Sequence, residues 1–305
     1  MLWRMVKIVA RQQWNAVIQR HIQYRAHRRD TELRFVAKGY AVPETREFLI
    51  EGPGGEYRIF VAVPPAPPPP EGYPVLFLVD GNACFGTVID AIRLQSPWPD
   101  LSGVEPMVVV GVGYPGDAAF NHRRRSFDLA PPLRNPTWRS NFVLGPPWNR
   151  PGGADAFLSF LLGPLAAALT GKYPVNPRAL NLCGLSLGGF FALYALVRKP
   201  DAFRAVVAVS SALWWDENRI ADDLRTLEAG NEPESRILVA VGSTEIPGDR
   251  NICEMMCRLS REAVEALAER GYKAEYLELE GENHQSCITA AMPAVLRFVS
   301  SATKC

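Results

Sequence analysis

Gly184-Leu185-Ser186-Leu187-Gly188-Gly189 is the stretch whose surroundings decide how this chain folds. Directly before it, Ala179 to Cys183 is a short apolar run of the kind that a strand buried on both faces produces. Directly after it, Leu187 to Val197 carries a helical pattern. A strand, a sharp turn and a helix form the context in which a Gly-x-Ser-x-Gly string lifts a serine hydroxyl above the carboxyl edge of a sheet. The glycines are required because the turn is strained and neighbouring backbone passes close by. Ser186 is therefore the candidate nucleophile.

Working outward, similar apolar runs occur at Val75 to Val79, Met107 to Val112, Ala205 to Val209 and Ile237 to Val241. Ala274 to Leu279 adds a final strand. Helical patterns lie between them, notably Ala154 to Leu169 and Ile252 to Glu269, and a terminal helix runs from about Cys287 to Val299. At the start, Arg46 to Ile50 and Glu56 to Val63 flank Gly52-Pro53-Gly54-Gly55 and read as an antiparallel hairpin. The proline-dense stretch Pro64 to Pro74 is an extended connection within the same sheet. This alternation predicts an α/β fold with a mostly parallel central sheet, covered by helices on both faces and opened by an antiparallel hairpin. Residues 114–153 break the rhythm. They hold many Pro, Gly, Arg and aromatic residues, including Phe127, Trp138, Phe142 and Trp148, and suggest an ordered cap-like insertion over a pocket.

The 305 residues carry a net charge of only +1, which argues against a nucleic-acid binder. Met1 to Tyr40 contains nine Lys/Arg and two acids, +7, so the remainder carries −6. Residues 1–40 are expected to be a basic extension, helical where Trp14, Val17, Ile18 and Ile22 share a face, with membrane contact through it the weaker alternative. The remaining residues, 41–305, are expected to form one domain. No apolar stretch of around 18 residues is evident, so no membrane span is expected. The six cysteines lack paired CxxC spacing and suggest free thiols in a reducing, cytoplasmic setting, with no metal site. Oligomeric state is unreadable.

A serine hydroxyl needs a base within hydrogen-bond reach. Of His21, His27, His122 and His284, only His284 follows Ser186, just beyond the last strand, where the order Ser, acid, His puts the base. The acid should lie on the loop after Ile237 to Val241; Glu245 is nearer the strand end than Asp249, and a Ser–His dyad stays open. Oxyanion donors are expected from the main-chain amides of Leu187 and of Asn82, the latter on the loop after Val75 to Val79.

With these residues in hand, the chain resembles the esterase D-like branch of the α/β-hydrolases, within it most of all the trilactone siderophore esterases that cleave enterobactin and salmochelin. The resemblance runs from about Tyr40 to the C-terminus. Its strings are Tyr57-Arg58-Ile59-Phe60, Leu78-Val79-Asp80-Gly81-Asn82, Val110-Gly111-Val112-Gly113-Tyr114 and Arg125-Ser126-Phe127-Asp128-Leu129-Ala130-Pro131. The Ser186 turn, Pro200-Asp201-Ala202-Phe203, Ser210-Ser211-Ala212-Leu213-Trp214-Trp215 and Glu282-Asn283-His284 complete them. The resemblance implies the α/β-hydrolase fold and hydrolysis of a small-molecule ester through an acyl-serine intermediate, with no cofactor or metal. Acyl transfer or thioester cleavage by the same machinery is the alternative, and a non-catalytic binding module is a distant third. Arg125, spaced from Asp128 as in the family string, is the candidate for holding a carboxylate or catecholate oxygen by bidentate hydrogen bonds. Trp214 and Trp215 are the candidate substrate-binding aromatics, with at least one expected to line the pocket and the other to pack in the core.

Overall fold

The computed structural model describes residues 41–138, 151–228 and 234–302. The basic extension expected over residues 1–40 lies outside them, as does the part of the cap at 139–150.

β1 (Thr45–Gly52) and β2 (Gly55–Ala62) form the predicted hairpin, with Thr45 opposite Ala62 and Gly52 opposite Gly55. They are followed by β3 (Tyr73–Val79), β4 (Val108–Gly113), β5 (Val175–Leu185), β6 (Ala205–Val209), β7 (Arg236–Gly242) and β8 (Lys273–Leu279). The eight strands form one sheet in the order β1-β2-β4-β3-β5-β6-β7-β8. β2 pairs antiparallel with β4, and every pairing from β4 to β8 is parallel. The continuous apolar runs follow from this burial on both faces. In β3, Val75, Phe77 and Val79 point into one apolar cluster while Leu76 and Leu78 point into the other.

One face is covered by α4 (Ala154–Lys172), α5 (Leu187–Arg198), α6 (Trp215–Arg225) and α7 (Arg250–Glu269), which supply Phe157, Phe191, Ile220 and Leu259 among others. The opposite face is covered by α1 (Gly81–Gln95) and α8 (Cys287–Ala302), through Val88, Ile89, Ala291 and Val295. A single turn, α2 (Pro99–Ser102), and a short α3 (His122–Asp128) complete the described helices.

Two expectations change. The segment read as an aperiodic cap begins with a true helix, α3, whose Asn121 side chain accepts a hydrogen bond from Arg124 N at 3.1 Å. The local capping signal was there, but seven residues are too few to display a period. Contrary to the reading that no apolar stretch is long enough, α4 has 19 residues and a mean hydropathy of 1.5, sufficient by length and composition to cross a membrane. Here its Phe157, Leu158, Phe160, Leu161, Leu165 and Leu169 are buried in the core against the sheet. Pro164 interrupts it, and Leu161–Leu165 is wound as a π-turn because proline cannot donate the hydrogen bond and its ring crowds the preceding turn.

Candidate active site

β5 ends at Leu185, and Ser186 turns the chain into α5 with φ 60 and ψ −118. That left-handed conformation costs a non-glycine residue about 1–3 kcal/mol and persists only where the surroundings hold it. They do. Ser186 N donates to Val209 O at 2.9 Å, and Ser186 O accepts from Ala212 N and Phe190 N, both at 3.0 Å. Gly184 explains the first glycine of the motif: a Cβ there would stand 2.1 Å from Gly188 O.

Ser186 opens onto a cavity of about 570 Å³ that also takes in Asn82, Arg125, Trp214, Glu245 and His284. Phe120, Ile246, Ile252, Met256 and Ile288 give it apolar walls, and His122, Gln285 and Thr289 add polar groups.

Glu245 and His284 come from the loops that follow β7 and β8, and those loops are zipped together. Thr244 N donates to Glu282 O and His284 N to Glu245 O, each at 3.0 Å, while Gly281 N donates to Ser243 Oγ at 2.8 Å. His284 Nδ1 is 2.7 Å from Glu245 Oε2. With Nδ1–H donating to that carboxylate, Nε2 is left as the basic nitrogen. The other oxygen, Glu245 Oε1, accepts from Ser210 Oγ at 2.6 Å and from Gly242 N at 2.9 Å. Burial alone would raise the Glu245 carboxyl, but the bonds from His284, Ser210 and Gly242 outweigh it and hold it below its ordinary value. Asp249, the other acid considered, caps α7 by accepting from Ile252 N at 3.1 Å.

The Asn82 and Leu187 amides lie in the first turns of α1 and α5, where backbone N–H groups have no intrahelical partner. The Asn82 side chain donates from Nδ2 to Tyr114 O at 3.0 Å and Gly116 O at 3.1 Å, and Oδ1 accepts from Tyr114 N at 2.8 Å. That fixes the loop after β3 to the loop after β4.

Of the expected substrate contacts, Arg125 and Trp214 line the cavity and Trp215 packs in the core. Arg125 reaches the cavity but spends its bidentate edge on Asp80: Nε donates to Oδ1 at 2.9 Å and Nη2 to Oδ2 at 2.7 Å. Burial would lower its hold on the proton, and the Asp80 charge more than offsets that. Trp214 lines the cavity, whereas Trp215 is 5% exposed and packs edge-on against Trp138, ring centroids 5.1 Å apart, so it belongs to the core. In the neighbouring arginine run, Arg124 lies over the Tyr57 and Tyr114 rings at 4.8 and 5.2 Å.

Sequence reasoning gave no role to Asp80 or Ser210, although each is a polar residue closing an otherwise apolar strand at the carboxyl edge of the sheet. None of the five described cysteines forms a disulfide. Burial pushes the Cys84 and Cys287 thiols up to about 12, so neither competes as a nucleophile near pH 7. Among the described residues no three His, Cys, Asp or Glu side chains gather as a metal site.

An eight-stranded, mostly parallel sheet with a serine at a strained strand-to-helix turn defines an α/β-hydrolase fold. The chain belongs to the esterase family whose description reads "Putative esterase", matched over residues 50–299. It is 33% identical over 271 residues to the ferri-bacillibactin esterase BesA of Bacillus subtilis, covering 86% of this chain and 91% of that one. It is 30% identical over 252 residues to the siderophore enterobactin esterase of Emericella nidulans, 74% of this chain and 82% of the relative. Among solved structures, the BES protein from Bacillus cereus superposes with a TM-score of 0.76 at 29% identity, covering 87% of this chain and 99% of that one.

Proposed function

We propose that the chain is a serine esterase that cleaves ester bonds of a siderophore, with a cyclic lactone carrying aryl groups as the substrate class. Ser186 attacks the ester carbonyl while His284 Nε2 takes its proton, and Glu245 holds the ring and stabilises the imidazolium. The Asn82 and Leu187 amides receive the oxyanion. The alkoxide leaves with the proton from His284, and water drawn through the same base releases the acyl group from Ser186.

The observation that carries this reading is the meeting, in one cavity, of a serine at a strained elbow with a His284–Glu245 pair bonded at 2.7 Å. The substrate class rests on the relatives, a ferri-bacillibactin esterase and an enterobactin esterase, and on the aromatic wall offered by Trp214 and Phe120. The thiols outside disulfides fit a reducing compartment such as the cytoplasm.

The test pairs wild type with Ser186→Ala on p-nitrophenyl esters of graded length and on a trilactone siderophore, with mass spectrometry of the protein after rapid quench. The reading predicts turnover and an acyl adduct on Ser186 in wild type, and neither in the variant. Ester consumed only when an alcohol or thiol acceptor is added would make the protein an acyltransferase.

A further inference from the structure

The reaction sequence above leaves the Asp80–Arg125 pair unused, yet the pair lies against its most charge-sensitive point. Asp80 closes β3 and has φ 56 and ψ 44, left-handed for a residue with a side chain. It is 2% exposed and sits at the N-terminus of α1, two residues before the Asn82 amide. Its carboxylate also approaches the start of α5: a Cβ built on Gly188 would stand 3.4 Å from Asp80 Oδ2. A buried negative charge therefore lies beside the first turns of both helices that supply the oxyanion amides. Left alone, it would oppose the negative charge that develops on the substrate oxygen in a water-poor site.

Arg125 meets that charge. It is 4% exposed, takes both Asp80 oxygens at 2.9 and 2.7 Å, and has its guanidinium over the Phe120 ring at 5.2 Å. Because Arg125 is on α3, the pair also ties the turn before Asn82 to the segment beyond β4. The Asn82 side-chain bonds to Tyr114 and Gly116 make a second tie between the same two regions.

We propose that Arg125 is a positioning residue of the oxyanion hole: it neutralises Asp80 and fixes its left-handed turn, so that the Asn82 amide stays aimed and the hole stays electropositive. This inference deepens the serine-esterase reading and rests on it. It separates from a substrate-ligand role. An arginine that binds anionic substrate groups acts through KM and is dispensable for a neutral ester. An arginine that acts through Asp80 lowers kcat on every ester, the neutral ones included.

The experiment measures kcat and KM on neutral p-nitrophenyl butyrate for wild type, Ser186→Ala, Arg125→Met, Asp80→Asn and the Asp80→Asn/Arg125→Met double variant. Thermal unfolding and inhibition by an alkyl boronic acid, which forms a tetrahedral anion on a serine, accompany it. Arg125→Met should lower kcat by about 100-fold, the scale of a lost oxyanion donor, and weaken the boronate in step while KM stays within about twofold. Asp80→Asn should lose less, because the charge it leaves near the hole is positive. The double variant should recover most of the Arg125→Met loss, since no unpaired buried charge remains. Wild-type kcat in Arg125→Met, or a double variant no better than that single, overturns the inference. Should Arg125→Met fail to fold, the double variant decides: activity near that of Asp80→Asn supports the inference, and a folded but inactive double overturns it. An inert wild type, or an active Ser186→Ala, instead sinks the serine-esterase reading and the inference with it.

Discussion

Ser186, Ser210 and Asp80 are three of the seven non-glycine residues with positive φ among those described, and all three end strands at one edge of the sheet. Strain of this kind persists where the surroundings over-determine it, and here each residue holds a bond the site uses. Ser186→Ala should cost roughly 10⁴-fold or more in kcat, as for other nucleophiles of Ser–His systems. Glu245→Gln keeps the shape but no longer favours the Nδ1–H tautomer of His284, so a loss of about 10³–10⁴-fold is expected in the same assay. A loss of less than tenfold would mean that the pair at 2.7 Å is structural and that Ser186 works with His284 alone. Ser210→Ala leaves Glu245 Oε1 with Gly242 N and removes the 2.6 Å hydroxyl bond. A hydrogen bond to a charged group contributes about 1.5–3 kcal/mol, so urea unfolding should register a loss in that range. At this scale a motif singles out Ser186 and an elimination His284, and the structure brings both to one cavity. Glu245 and Asp249 were not separable by distance along the loop, yet Asp249 precedes α7 in the position of an N-cap, a signal that would have set it aside. Arg125 lines the cavity as expected of a substrate contact, but its bond to Asp80 was not legible, because no pattern in the sequence announces a partner 45 residues away.

The elements were more legible than the contacts between them. The apolar runs of β3 to β7 agree with the observed strands because residues buried on both faces are nearly all apolar, so composition marks them. α1 and α6 went unread for opposite reasons. α1 follows Asp80, a residue of N-cap type, but opens on the weak helix formers Gly81 and Asn82, which mask its start. In α6 the residues Asp216, Glu217 and Asn218 are left-handed and break the helical period. The strand order, with β3 and β4 exchanged relative to their sequence, follows from crossovers that no local pattern records. The turn between β5 and α5 makes its own prediction. Gly184→Ala places a Cβ 2.1 Å from Gly188 O, backbone against backbone, and should destabilise by at least the ~1–3 kcal/mol typical of overpacking. Gly86→Ala is its counterpart: an exposed site inside α1 with nothing within 4 Å, expected to gain about 0.5–1 kcal/mol. Denaturant midpoints that moved the same way in both variants would contradict the crowding argument.

For the molecule as a whole, pH stability should be governed by two buried carboxylates of opposite tendency. Asp128, on α3 one turn beyond Arg125, is 1% exposed. The charged and titratable groups around it are Arg124, with Nε 3.7 Å away, and the Tyr57 and Tyr114 phenols. Burial pushes its carboxyl up to about 6, against the pull of the Tyr57 hydroxyl and of the Arg124 charge. The folded state therefore holds this proton more tightly than the unfolded chain does. Its contribution to stability is fully present below the ordinary carboxyl value and is lost as pH rises through about 6. Glu245 behaves in the opposite sense. Its carboxyl is held down, so its contribution is complete above its ordinary value of 4.5 and is lost as pH falls below it. Asp128→Asn mimics the protonated acid, so its stability relative to wild type should rise between pH 4 and pH 6 and then level off. The change across that window should be on the order of 3 kcal/mol, from a shift of about two units. Glu245→Gln should differ from wild type by a constant amount above pH 4.5 and converge with it in more acid solution. Thermal or urea unfolding of the three proteins at half-unit pH steps reads both effects. An Asp128→Asn difference that stays constant from pH 4 to pH 8 would mean that Arg124 keeps Asp128 ionised throughout, as one half of a permanent ion pair within α3.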